Sequence, residues 1–346
     1  MEKHDPYWME EALALAEKAK GLTSPNPCVG AVLVRDQVLL GKGYHQKAGK
    51  PHAEVLAVRD AKLKGNSIRG ATLYVTLEPC CTHGRTPPCT DLILREQIKR
   101  VVIGATDPNP AHSGNAFKIL RKKGIEVTVG VLKEKCAFLN RDFNHWIVHQ
   151  TPWVTLKSAM SYDGRITRPA RESGWLTSVA AREKGHELRG ESDAILIGGE
   201  TLRVDNPVLT VRHSRFKTKR QPLRVVVSQG GILPSSSRIF KDIFHERTLV
   251  YQNKKLSFIL KDLGKKGVMN LLVEGGGKVH ASFLNQNFAH EVALFWAPMM
   301  TGTESMGFNF SKQAPLKKSI FFKPWSTEMI GKDLLVRALV QRSVRA

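Results

Sequence analysis

Apolar residues along this chain fall into short runs of two different periods, and the two alternate from end to end. Residues 7–20 set Leu13, Leu15, Ala16 and Ala19 among acids and lysines, the spacing of an amphipathic helix. Pro25-Asn26-Pro27 ends it, and VGAVLV (29–34) with VLLGKGY (38–44) reads as a strand pair turning at Arg35-Asp36-Gln37. A helix is predicted over 53–64, then a buried strand, ATLYVTLEP (71–79), that stops just before Cys80. VVIGATD (101–107) and IEVTVGV (125–131) are further apolar strands, separated by a helix near 115–123. Strands interleaved with helices predict a three-layer α/β sandwich.

The alternation restarts after residues 144–152, where HWIVHQTP leads into the strand TPWVTLKSAM. From there the pattern predicts a helix over 178–190 and strands over 193–199, 223–228, 247–252 and 269–277. A helix over 278–287 and a strand over 291–298 follow, while RHSRFKTKRQ (212–221) reads as a charged surface loop. Two domains are therefore expected, 1–145 and 146–346, and 346 residues suffice for two cores.

Composition changes this picture little. Apolar content of 42% is ordinary for a globular chain. No run approaches the roughly 18–20 apolar residues that span a bilayer, so no membrane partner is expected. The first residues lack the basic start and small-residue cleavage site of a signal peptide. Five cysteines, an odd number in a long chain, argue against a disulfide framework and for thiols kept reduced as metal ligands. A cytoplasmic protein is the expectation. The net charge of +22 favours polyanions, either nucleic acid or phosphorylated small molecules. The basic residues are scattered over the whole length, however, so the charge alone selects neither.

Chemistry concentrates at His52-Ala53-Glu54, Pro79-Cys80 and Cys89. One imidazole and two thiolates can hold zinc with a coordination position left open, which is how a catalytic site differs from a closed structural one. Glu54 is then a proton shuttle beside a zinc-polarised water, the arrangement of hydrolytic nucleobase deamination. The pattern places His52 at the start of a helix after Pro51, and Cys89 at the entry to another near Thr90. A helix N-terminus lowers a thiol's pKa and so favours ligation. Many zinc deaminases use Cys-x-x-Cys, whereas here the spacing is Cys-x8-Cys; Cys81 is a rival ligand, and Cys80 with Cys89 is favoured. A tRNA or nucleobase deaminase with a basic accessory domain would account for the charge, but predicts the shorter spacing. An RNA-binding protein with a structural zinc would have no use for Glu54.

In the second half, VEGGGKVHASF sets three glycines between a strand and a helix, a geometry in which backbone N–H groups can meet a phosphate. By itself the signal is weak.

In combination the motifs are far more specific. PNPCVG (25–30), GYH (43–45), PHAEVLA (51–57), TLEPC (76–80), HGRTPPC (83–89) and DPNP (107–110) resemble the pyrimidine deaminase half of the bifunctional riboflavin-biosynthesis enzymes. LKSAMSYDGR (156–165), ESGWLTS (172–178), residues 198–212 and LLVEGGG (271–277) resemble their reductase half, in the same order. The resemblance implies a cytidine-deaminase-like α/β/α domain followed by a dihydrofolate-reductase-like α/β domain, with zinc and NADPH as cofactors. It implies deamination of a 2,5-diamino-6-(5-phosphoribosylamino)pyrimidinone, then reduction of the product's ribosyl group to ribityl. Carried over residue by residue, His52, Cys80 and Cys89 would hold zinc and Glu54 would be catalytic. Asn26, His45, Arg85, Asp107 and Asn109 would contact the first substrate. Ala159, Trp175, Thr201, Asp205, Ser228 and the run Gly276, Gly277, Lys278, Val279, His280, Ala281 and Ser282 would contact NADPH. Ser173, Arg189, Leu209, Arg212 and Glu274 would contact the second substrate, with Lys157 close to the reacting ribose. This chain has Ser228-Gln229 where the family usually has Asp-Ser. Phosphorylated small-molecule substrates and a homo-oligomer are expected, with no specific nucleic acid.

Overall fold

The computed structural model describes residues 2–82, 87–110, 112–168, 172, 174–217, 219–302, 307 and 319–341. The chain forms two compact units, Met1–Gln150 and Thr151–Ala346, each with its own sheet.

The first unit runs α1 (Asp5–Glu17), β1 (Gly30–Arg35), β2 (Val38–Tyr44), α2 (Ala53–Leu63), β3 (Thr72–Leu77) and α3 (Cys89–Arg95). It continues through β4 (Arg100–Ala105), α4 (Asn115–Lys122), β5 (Glu126–Val129), α5 (Lys133–Leu139) and α6 (Arg141–His149). Its five strands lie in the order β2-β1-β3-β4-β5. The hairpin β1–β2 pairs antiparallel, β1 joins β3 antiparallel, and β3, β4 and β5 run parallel. Alternate residues feed two cores, as a period-2 strand requires. Leu33, Leu73, Val75, Val101 and Ile103 meet α2, α3 and α4 on one face. Val32, Val34, Tyr74 and Val102 meet α1 and Cys136 of α5 on the other. The result is a three-layer sandwich. Gly43 lets α2 lie flat on β2: a Cβ there would fall 2.6 Å from the Ala57 backbone nitrogen. That close contact fixes the height of the α2 N-terminus above the sheet, and so the position of His52 and Glu54.

The second unit contains β6 (Trp153–Ser161), α7 (Val179–Glu191), β7 (Ala194–Gly198), α8 (Gly199–Asp205), β8 (Leu223–Ser228), α9 (Arg238–Lys241) and β9 (Thr248–Gln252). Then come α10 (Leu256–Lys265), β10 (Asn270–Val273), α11 (Gly277–Asn285), β11 (Glu291–Ala297), β12 (Phe321–Ile330) and β13 (Asp333–Gln341). The eight strands are ordered β12-β13-β11-β6-β10-β7-β8-β9. From β11 to β9 all neighbours are parallel, and β12 and β13 close one side as an antiparallel pair. α10 and α11 cover one face through Ile259, Leu260, Leu263, Phe283 and Leu284. Ala181 and Leu188 of α7, Leu202 of α8 and Ile239 of α9 cover the other.

Several elements depart from the sequence pattern. Residues 141–149 continue as a helix up to the division between the units, where the pattern gave only a connecting stretch. The loop over 212–221 is anchored by Phe216, 2% exposed and packed against Gly190 of α7. The strand expected over 269–277 ends at Val273, and its three glycines turn into α11.

Candidate deaminase and reductase sites

His52 is the N-cap of α2, with extended backbone, so it stands at the mouth of the helix and Pro51 lies outside it. Cys89 is the first residue of α3, and Cys80 lies just beyond the end of β3. The three donors converge. His52 Nδ1 is 3.3 Å from Cys89 Sγ and 3.5 Å from Cys80 Sγ, and the Cys89 backbone N–H donates to Cys80 Sγ at 3.3 Å. Ligands at the usual bond lengths around a tetrahedral zinc stand about 3.5 Å apart, so this set of one nitrogen and two sulfurs fits that ion. Cys81 turns away, its Sγ 3.8 Å from His112 Nδ1.

Of the two thiols, Cys80 ionises first. The hydrogen bond from the Cys89 thiol, then that with His52, push it down to about 4. Cys89 is pushed up, chiefly because it gives that hydrogen bond. The helix start therefore favours the thiolate through its N–H aimed at Cys80, and not through Cys89 itself. Glu54 is 3% exposed and stands beside the cluster, its carboxyl raised chiefly by burial.

Asn26 and His45 join this centre. The Pro51 carbonyl can only accept, so the contact of 3.1 Å puts the proton on His45 Nδ1. Nε2 then accepts from Asn26 Nδ2 at 3.0 Å. The His45 ring meets His52 edge to face at 5.5 Å. Asp107 lies buried, near enough to Cys80 for its carboxyl to be raised by that charge after the larger effect of burial. Its Oδ1 accepts the Asn109 N–H at 2.8 Å, an Asx turn that holds DPNP. Arg85 lies outside the described residues.

Two positioning residues escaped the sequence reading. Glu78, 5% exposed, accepts the backbone N–H groups of Asp107, Gly114 and Ala116 at 3.2, 2.9 and 3.1 Å. It thereby ties the DPNP segment to the strand end that carries Cys80. Asn140, 1% exposed, accepts from Cys28 N at 2.7 Å and donates to Cys28 O at 2.8 Å, pinning the loop that bears Asn26. An acid at the end of a buried strand is a readable signal, since it cannot stay unpartnered. Asn140 gave none.

In the second unit the predicted residues gather at the carboxyl ends of the parallel strands, where open α/β sheets place their ligands. Glu274 follows β10 on the face of Leu272, and Lys157 and Ala159 occupy the matching face of β6. Arg189 of α7 makes a two-pronged ion pair with Glu274, at 2.7 and 2.6 Å. The enclosed Glu274 carboxyl is held down to about 2 by that guanidinium against the cost of burial. Lys157 is pulled below the usual ammonium range by lack of solvent. Arg212 is exposed and hydrogen-bonds Thr210 Oγ1 at 3.4 Å.

Adjacent parallel strands β7 and β10 each run into a glycine-opened helix, so the starts of α8 and α11 lie side by side. A Cβ on Gly275 would fall 2.7 Å from Val279 Cβ, so α11 approaches only because that position is bare. A Cβ on Gly276 would meet nothing nearer than Thr201 Oγ1 at 3.8 Å, leaving an open cradle of N–H groups that suits a pyrophosphate. Gly276, Gly277 and Lys278 form this cradle with Thr201, whereas the Val279 N–H is already given to the Gly276 carbonyl at 3.0 Å. His280 and Ala281 instead turn their side chains into the core, at 1% and 0% exposure, and Ser282 accepts from Gln286. Ser228, buried at the end of β8, donates to the Gly230 carbonyl at 2.6 Å. Asp205 is exposed at the end of α8. Trp175 is 71% exposed, with the Arg182 guanidinium 5.3 Å over its ring. The Leu209 side chain is committed to the core beside Ile195 and Leu202, and its φ is 56°. Ser173 lies outside the described residues.

Fold and site together define a zinc-dependent deaminase of the cytidine deaminase class joined to an α/β reductase. Residues 2–105 match the zinc-binding region of cytidine and deoxycytidylate deaminases, and residues 152–336 match the RibD C-terminal domain. The chain belongs to the RibD family of bifunctional riboflavin-biosynthesis proteins, with zinc and NADPH as their cofactors. It is 40% identical to the riboflavin biosynthesis protein RibD of Aquifex aeolicus, over 96% of this chain and 97% of that one. The Escherichia coli RibD is 36% identical over 88% of this chain and 90% of its own. Among solved structures, Acinetobacter baumannii RibD superposes with a TM-score of 0.88 at 34% identity, covering 98% of this chain and 99% of that one. A Thermotoga maritima protein described as a diaminohydroxyphosphoribosylaminopyrimidine deaminase/5-amino-6-(5-phosphoribosylamino)uracil reductase gives 0.85 at 37%, covering 97% and 99%. Among the described residues no helix is long and apolar enough to cross a membrane.

Proposed function

We propose that the first unit removes the ring amino group of 2,5-diamino-6-(5-phosphoribosylamino)pyrimidin-4-one by hydrolysis. The second then reduces the ribosyl group of the resulting 5-amino-6-(5-phosphoribosylamino)uracil to ribityl. The observation that carries the reading is the convergence of His52, Cys80 and Cys89 beside a buried carboxylate that is not a member of the ligand set. Zinc on these donors supplies a Lewis acid that makes water nucleophilic near neutral pH. Glu54 would take the water's proton and give it to the ring nitrogen. It would then take a second proton from the hydroxyl on the tetrahedral carbon and give it to the amino group, which leaves as ammonia as the C–N bond breaks. Burial raises its carboxyl, the direction that favours taking up a proton. Asn26 offers the rest of its amide to the ring, oriented by His45 Nε2, which accepts one of its N–H groups, and Asp107 and Asn109 line the site.

In the second unit NADPH supplies hydride, and the residues present supply position and field. Gly276 to Lys278 and Thr201 receive its pyrophosphate, with Ala159, Trp175, Asp205 and Ser228 as further contacts. Arg189, fixed by Glu274, and Arg212 receive the substrate phosphate. Lys157, with its ammonium made more acidic by enclosure, faces the ribose. Arg85, Ser173 and the backbone of Leu209 complete the two substrate sets by family resemblance. A cytoplasmic location agrees with five cysteines that form no disulfide, and a homo-oligomer agrees with the exposed Phe321 and Met329 on β12. Both substrates carry phosphate, so the positive charge needs no nucleic acid.

The test is a coupled assay of purified protein with zinc, NADPH and the diaminopyrimidine ribotide. NADPH oxidation should follow deamination and require its product. Glu54→Gln should retain one zinc per chain and lose about 10²–10⁴ in deamination. An undiminished rate removes the proton-shuttle role.

A further inference from the structure

His186 stands three residues before Arg189 on α7 and lies against Arg212, between the two cations assigned to the phosphate. A guanidinium has only donors, so the contact of 3.0 Å from Arg212 Nη2 requires an unprotonated Nε2 on His186. The ring's proton then sits on Nδ1, 3.4 Å from the Arg212 backbone N–H, which therefore finds no acceptor there. Thr210 links the pair: its hydroxyl accepts from Arg212 Nη1 at 3.4 Å, and its carbonyl from Arg189 Nη1 at 3.5 Å. Arg189 is locked by Glu274, which cancels its charge. Among the described residues Arg212 has no carboxylate partner. An exposed arginine of this kind samples many rotamers unless something neutral holds it.

We propose that His186 is a positioning residue of the reductase site: as a neutral acceptor it aims the guanidinium of Arg212, the cation whose charge Glu274 does not cancel, at the substrate phosphate. A carboxylate in its place would hold Arg212 as well but would cancel the charge the phosphate seeks. An imidazole orients the cation and leaves its charge free. Burial, followed by the nearby Arg189 and Arg212, pulls His186 down to about 4, so it is an acceptor at neutral pH.

The inference rests on the phosphate role given above to Arg212, and steady-state reduction by the full-length protein separates the two. His186→Leu should raise KM for the phosphoribosylaminouracil about tenfold with kcat nearly unchanged. His186→Gln, which keeps an acceptor, should recover most of that affinity, and His186→Glu should not. An unchanged KM in His186→Leu, or equal losses for leucine and glutamine, overturns the proposal. Should leucine prevent folding, the contrast between glutamine and glutamate decides alone, and no difference between them overturns it. An Arg212→Ala protein with unaltered KM brings down the phosphate role and this inference together. A raised KM there beside an unaltered His186→Leu removes only the inference.

Discussion

Asn140 contributes both halves of its amide to the backbone of Cys28, although 112 residues separate them. Asn140→Ala leaves a buried N–H and a buried carbonyl unpaired, at a cost of about 1–3 kcal/mol each. The expected outcome in urea unfolding is a first unit weakened by that order, with KM for the diaminopyrimidine raised because the Asn26 loop is loosened. His186 gives the pH dependence. Its folded pKa of about 4 lies below the ordinary imidazole value near 6.5, so between them the unfolded chain binds more protons. The associated stability is complete above about pH 6.5 and is lost as pH falls towards 4. Arg189 and Arg212 oppose the proton there and Glu274 favours it. Unfolding midpoints over that range should fall less steeply for His186→Gln than for the parent protein. Breaking the enclosed pair by Arg189→Ala should cost about 3–5 kcal/mol, because Glu274 is left charged without its partner. At this scale the sequence was most legible where residue type dictates chemistry: His52, Glu54, Cys80 and Cys89 need no fold to be noticed. Asn140 and His186 act through distance in space, which no spacing reveals, while Glu78 was readable only as an acid at the end of a buried strand.

Among the elements, α2 and α11 carry most of the function, and both are placed by bare backbone beneath them. Gly275→Ala would push against the stiff, β-branched Val279, at a cost of about 1–3 kcal/mol, and lift α11 off the strand ends. KM for NADPH should rise while deamination stays at the parent rate. Adding Val279→Ala should restore part of the loss. The alternation of apolar residues was enough to predict most strands to within a few residues, because burial on both faces of a parallel sheet leaves near-continuous apolar runs. The pair β12–β13 was not predicted. The outer strand β12 is exposed along most of its length, so it lacks the run that marks a buried strand. Likewise α10 escaped, although Leu256, Ile259, Leu260 and Leu263 make its apolar stripe plain once drawn on a helix.

At the scale of the molecule, each candidate site draws its residues from one unit: Asn26 to Asn140 for the first and Lys157 to Lys278 for the second. Glu54→Gln and Arg189→Ala should therefore complement each other. Mixed in solution, the two inactive full-length proteins should carry the diaminopyrimidine through to the ribitylamino product, with the intermediate passing through bulk solvent. Failure of the mixture, with each partner retaining its own half-reaction, would mean that the intermediate does not cross freely between copies. The overall charge is the feature least convertible into function from sequence, since the scattered lysines and arginines say nothing about which few of them face a substrate.

The amide bridge between Asn140 and Cys28 also sets where the chain can be divided. The stretch that matches other zinc deaminases stops at residue 105, yet the wall of the pocket is buttressed from far beyond it. Anyone seeking the hydrolytic activity by itself should cut after Gln150, keeping both closing helices, because a cut before Asn140 would spare every metal ligand and still unmoor the loop that carries Asn26.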